Sequence, residues 1–184
     1  MDYPEEMSDL NQKEPVYVSV GSPDLRDFVN TLIEDVTGEG DLVIYIGSIK
    51  TSKKVKSALK EQDIDINKVL FFDMATKISG EAPDNVKNTV FFNPEDINQV
   101  NMQLDDAIEA KPENRDAMVI FDTISTLTIY NDEEVIEKFL QKLSSKMEDW
   151  PVKSVLIGVE KEMDEEMTES IHEAVENKYD LAEN

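Results

Sequence analysis

Six short apolar runs recur along the chain, with room for a helix between most of them. They are Val16–Val20, Leu42–Ile46, Val69–Phe72, Thr89–Phe92, Met118–Phe121 and Ser154–Val159. All are rich in β-branched or aromatic residues, as strands are. Most are apolar on both faces rather than alternating. That is the pattern of a parallel sheet covered by helices on both sides. Between the runs, apolar residues fall at helical spacing. Over 24–36, Leu25, Phe28, Val29, Leu32, Ile33 and Val36 make one continuous stripe. Segments 95–109 and 132–147 repeat the pattern, 52–61 shows it weakly, and 164–177 closes the chain with it. The order β-α-β-α-β-loop-β-α-β-α-β-α predicts an open three-layer α/β/α sandwich with a mainly parallel sheet and right-handed crossovers. Residues 74–88, with Gly80 and Pro83, read as a loop with some irregular helix.

Helix ends carry recognisable signals. Ser22 can cap the first helix, with Pro23 at its first helical position. Asn131 and Glu134 have capping-box spacing. Pro151 stops the fourth helix before the last strand. Trp150 is expected to anchor that turn. Met102, Met118, Met147, Met163 and Met167 are expected to fill gaps in the core. His172, on the flank of the last helix, is expected to be exposed.

The charge narrows the function classes. The 184 residues hold 41 acids and 18 bases, a net charge of −23. A duplex phosphate backbone or an anionic membrane would be repelled by most of such a surface. No cysteine is present, so no thiol nucleophile or Cys-ligated metal is possible. A single histidine leaves no histidine-rich metal site. No apolar run approaches the ~20 residues that span a bilayer. The N-terminus lacks the basic and apolar regions of a signal peptide. A cytoplasmic protein with no nucleic-acid and no membrane partner is the expectation. The acidity is uneven. Residues 1–14 carry five acids and one lysine, and read as a flexible acidic tail ahead of one α/β domain over 15–184. The one basic island is Lys50, Lys53, Lys54, Lys56 and Lys60, read as a solvated face or an intermolecular contact for the acidic ends of the chain.

In open parallel sheets, ligands bind beyond the carboxyl ends of the strands. The first such end is Gly21-Ser22-Pro23-Asp24-Leu25-Arg26-Asp27. A phosphate-binding turn needs glycines, so that backbone N–H groups can approach oxygens, and a lysine for the terminal phosphates. Gly21 is present; the second glycine and the lysine are not. Asp24 and Asp27 put negative charge where phosphate would sit, and Arg26 is the nearby cation. The fifth run ends in Asp122-Thr123, the pattern of a strand whose carboxylate orients Mg²⁺; Asp122 is the candidate metal residue. Asp73, Glu160 and Lys161 stand at other strand ends. Asp73 with Lys161 suggests a phospho-acceptor arrangement, but no acidic pair follows the first strand to support it.

Taken together, these stretches resemble the KaiC-like branch of the RecA-type P-loop ATPases, of archaeal type. Gly21-Ser22-Pro23 matches the start of the family's phosphate loop, and Val119 to Thr126 matches its Walker B stretch. Asp27 stands at the position of the loop lysine and Phe28 at that of the loop threonine. The resemblance covers roughly residues 15–181 and implies a RecA-like P-loop NTPase fold; the departures from its pattern imply that ATP hydrolysis has been lost. It also implies side-by-side self-association. The expected function is therefore a non-catalytic, regulatory or scaffolding domain acting through a protein partner or self-association, with no cofactor. Two alternatives stand beside it. One is a weak ATP-binding protein or slow ATPase, with Asp122 holding Mg²⁺ and Arg26 on phosphate. The other is a small-molecule sensor using the vacated nucleotide pocket.

Overall fold

The computed structural model describes residues 15–80, 82–159, 163 and 165–181. The proposed acidic tail 1–14 and the candidates Glu160 and Lys161 lie outside them. Seven parallel strands form one sheet: β1 Val16–Ser19, β2 Leu42–Gly47, β3 Val69–Asp73, β4 Thr89–Phe91, β5 Ala117–Asp122, β6 Lys153–Gly158 and β7 Asn177–Asp180. Their spatial order is β4-β3-β2-β5-β6-β1-β7. The helices are α1 Leu25–Gly38, α2 Ser52–Glu61, α3 Ala75–Ser79, α4 Ile97–Glu109, α5 Glu133–Asp149 and α6 Glu165–Ala174, with a 3-10 segment over Ile124–Ile129.

The sheet has a core on each face, as its apolar central strands require. On one face, Phe28, Val29, Leu32, Ile33 and Val36 of α1 and Val55 and Leu59 of α2 pack on Val18, Tyr45, Phe71 and Ile120. On the other, α4, α5 and α6 cover Tyr17, Ile44, Phe72, Val119 and Phe121. The expected three-layer α/β/α sandwich is the architecture found.

Several local expectations are corrected. The chain makes a seventh strand where the last helical pattern was extended to residue 177. Asn177-Lys178-Tyr179-Asp180 pairs with β1 at the sheet edge, alternating between half-buried and exposed. A polar edge strand has no apolar run to announce it. The short helix α3 within 74–88 is no correction, since that stretch reads as a loop with some irregular helix. α1 begins at Leu25 rather than Pro23, and Asp24 at its N-cap makes no side-chain cap bond. Asn131 does not cap α5; Asp132 takes that position, and the Asn131 amide donates to the carbonyls of Pro94 and Leu127. Met102 is 68% exposed rather than core-filling. His172 is half-buried and meets Tyr17 edge-on, with ring centroids 5.6 Å apart. Trp150 is buried as an anchor, its indole N–H donating to Asp105 at 3.1 Å.

Gly158 shows how tightly β6 packs on β1. A Cβ there would stand 2.8 Å from Cε2 and 2.9 Å from Cζ of the buried Tyr17 ring. Gly158→Ala is expected to cost about 1–3 kcal/mol by overpacking. A urea titration should show a lower midpoint at unchanged slope.

Candidate functional site

Three consecutive positions across the sheet build the carboxyl edge. Gly47 at the end of β2 is in register with Asp73 of β3 on one side and Asp122 of β5 on the other. Two carboxylates therefore flank one glycine. Their surroundings give them different roles.

Asp73 is 1% exposed and satisfied by hydrogen bonds. Its Oδ2 accepts from the Ser52 backbone N–H at 2.6 Å and the Thr76 hydroxyl at 2.6 Å, and its Oδ1 accepts from the Thr76 N–H at 2.8 Å. The carboxylate thus ties the first turns of α2 and α3 to the strand end. Negative charge is also favourable at helix N-termini. This geometry makes Asp73 a clamp between elements.

Asp122 is 5% exposed and only half satisfied. Its Oδ2 accepts from the Tyr45 hydroxyl, while Oδ1 is buried with no hydrogen-bond partner. Burial pushes the Asp122 carboxyl from the ordinary 3.8 up to about 6, against the opposing pull of the Tyr45 bond and the Lys50 charge. Burial, then the Asp122 charge, drives the Tyr45 hydroxyl well above its usual range. Thr123 follows through a cis peptide bond. Its hydroxyl lies 2.9 Å from that of Thr126, and Ser48 bonds to both residues, donating to the Thr123 carbonyl at 3.1 Å. Thr123 belongs to this clasp between the ends of β2 and β5.

Above Asp122 is a cleft of about 220 Å³ between α1 and α2. Tyr45 and Asp122 line it from the sheet, Arg26 and Asn30 from α1, Lys50 from the turn after β2 and Lys54 from the first turn of α2. Of the candidates read from sequence, the structure brings Arg26 and Asp122 together here. Ser22, Pro23, Asp24 and Asp27 are exposed and do not line the cleft. Sequence reasoning missed Tyr45. Its signal was a polar-tipped aromatic inside the apolar run Leu42–Ile46, two residues before the edge glycine. Among the described residues, no group of three or more Asp, Glu or His side chains is placed to hold a metal ion. None of the described helices is long and apolar enough to cross a membrane.

The turn after β1 is closed by its own backbone. The N–H groups of Asp24 and Leu25 both donate to the Gly21 carbonyl, at 2.9 and 3.1 Å, and the Phe28 N–H donates to that of Asp24. Arg26 pairs with Asp27 at 3.1 Å on the exposed surface. Phe28 is fully buried.

No family model matches the chain, and no curated protein matches it. Solved structures do. The uncharacterized protein PH0321 from Pyrococcus horikoshii, in complex with an unknown peptide, aligns at a TM-score of 0.66 and 13% identity over 95% of this chain and 81% of that one. The KaiC-like protein PH0186 from the same organism aligns at 0.60 and 14%, over 94% and 74%. The flagellar accessory protein FlaH from Methanocaldococcus jannaschii aligns at 0.54 and 15%, over 95% and 75%. At these identities the likeness establishes the fold alone, a parallel α/β architecture shared with the KaiC-like protein.

Proposed function

We propose that this chain is a RecA-like domain that does not hydrolyse nucleotide and works as a regulatory or scaffolding module through protein contacts. The observation that carries this reading is the closed turn after β1. A phosphate cradle needs free backbone N–H groups aimed into a concavity. Here two of those N–H groups are spent on the Gly21 carbonyl. Exposed Asp24 and Asp27 add repulsion at the same place.

The far side of the cleft supports the same conclusion. Mg²⁺ prefers octahedral oxygen ligands and retains several waters. Asp122 is a lone carboxylate with one oxygen engaged by Tyr45 and the other buried, and Lys50 contributes positive charge nearby. The residues present do not fit Mg-ATP. A partner role draws support from PH0321, a protein of the same fold whose structure contains a peptide.

Isothermal titration with millimolar Mg-ATP tests the proposal. No saturable heat is expected. Saturable binding that disappears in Asp122→Ala would overturn the reading in favour of a nucleotide-dependent protein.

A further inference from the structure

The basic island is out of character in a chain of net charge −23. Residues 50–60 contain five lysines and no acid. The structure sorts these lysines. Val55 and Leu59 turn into the core. Lys53, Lys56 and Lys60, at i, i+3 and i+7, fall on another side of α2, where they line a groove of about 500 Å³. The opposite wall is Pro83, Val86 and Phe91, from the approach to β4 and β4 itself. Lys56 is anchored within this wall system. Its ammonium donates to the Lys87 carbonyl at 2.7 Å and the Thr89 hydroxyl at 2.6 Å, and sits 4.8 Å from the centroid of the Phe71 ring. Lys53 and Lys60 are exposed and form no ion pair among the described residues. The groove therefore combines apolar walls with two available positive charges, on a protein that is otherwise strongly negative.

We infer that this groove is the docking site for the acidic segment 1–14 of the chain itself. The match is one of chemistry and of length. The segment reads MDYPEEMSDLNQKE, with Asp2, Glu5, Glu6 and Asp9 interleaved with Tyr3, Pro4, Met7 and Leu10. The acids suit Lys53 and Lys60; the apolar residues suit Pro83, Val86 and Phe91. Five strand positions separate β1 from β4, or about 24 Å at ~4.8 Å per strand. Fourteen extended residues reach up to about 50 Å. The segment spans that distance on its own molecule and equally reaches the groove of a second copy. The inference deepens the protein-contact reading and shares no residue with the Gly21–Asp27 turn or with Asp122.

Zero-length carbodiimide cross-linking of the full chain, read by mass spectrometry, tests it. Lys53 and Lys60 should capture Glu5, Glu6 or Asp9 at least tenfold more often than Lys138 or Lys142 does. Raising the salt to 0.5 M should reduce that yield several-fold, because the charges are screened. A Tyr3→Ser, Met7→Ser, Leu10→Ser chain, which keeps every charge, should lose the enrichment. Mixing ¹⁴N- and ¹⁵N-labelled chains reports whether the captured segment is the molecule's own, as inferred, or its neighbour's, which would overturn docking within one chain. Cross-links spread evenly over the lysines would overturn the inference. So would enrichment that survives the triple serine change, since charge alone would then account for it. If enrichment is absent while Mg-ATP still fails to bind, the segment assignment falls and the non-catalytic reading stands.

Discussion

Asp73→Ala should lower the stability of this protein by about 3–4 kcal/mol, the largest loss expected from any single strand-end change. Hydrogen bonds to a charged group contribute ~1.5–3 kcal/mol each, and removing a cap leaves buried donors stranded. Asp73 makes three such bonds, to Ser52 and Thr76, and so joins two helix starts to β3. Part of the sum is returned because a buried charge is also removed. For a domain of this size the melting temperature should fall by on the order of 10 °C. Asp73→Asn keeps the volume and some acceptor capacity but turns an NH₂ towards one of the donors, so it should fall between the wild type and the alanine variant. A loss below about 1 kcal/mol for Asp73→Ala would mean that the carboxylate is not a clamp and is free for chemistry.

Asp122→Asn should do the opposite at neutral pH. Raising a carboxyl from 3.8 to about 6 on folding means that the folded state holds the proton more tightly than the unfolded one. Stability then declines as pH rises from about 4 to about 6, and levels off above that. At pH 7 the ionised form costs about 3 kcal/mol relative to a group indifferent to folding. Asparagine removes that cost and preserves an acceptor for the Tyr45 hydroxyl. It leaves a new amide donor where Oδ1 stood without a partner, which returns ~1–2 kcal/mol. The net expectation is a gain of about 1–2 kcal/mol at pH 7–8 that turns into a loss of about 1 kcal/mol near pH 4. Paired denaturation curves of wild type and variant across pH 4–8 measure it, because the remaining acids titrate equally in both. A variant less stable than wild type by the same amount at every pH would refute the assignment.

The two carboxylates also show what could be read before the structure. Both appear in the sequence as an acid closing an apolar run. Phe71-Phe72-Asp73 and Ile120-Phe121-Asp122 look alike. Burial does not separate them either, at 1% and 5% exposed. What separates them is which donors arrive from elsewhere in the chain. Ser52 comes from 21 residues upstream, and Tyr45 from 77 residues upstream. Pattern reading sees neighbours three or four residues away on a helix and two away on a strand, so it cannot supply such partners.

The strands β1 to β6 and the apolar stripes of α1, α4 and α5 were legible because each obeys a local rule. A strand buried on both faces must be apolar throughout, and a helix on a sheet must carry its apolar residues on one side. These rules fixed the three-layer parallel sandwich from residue order alone. The tertiary structure decided everything that depends on distant chain meeting distant chain. It added β7, whose polar residues form a strand because β1 offers an unpaired edge. It set the order β4-β3-β2-β5-β6-β1-β7, buried Asp122 under Tyr45, and opened the lysine-lined groove beside β4. Apolar periodicity is a property of one segment and its solvent. Register, charge pairing and cavity shape belong to pairs of segments, and exist once the sheet has assembled.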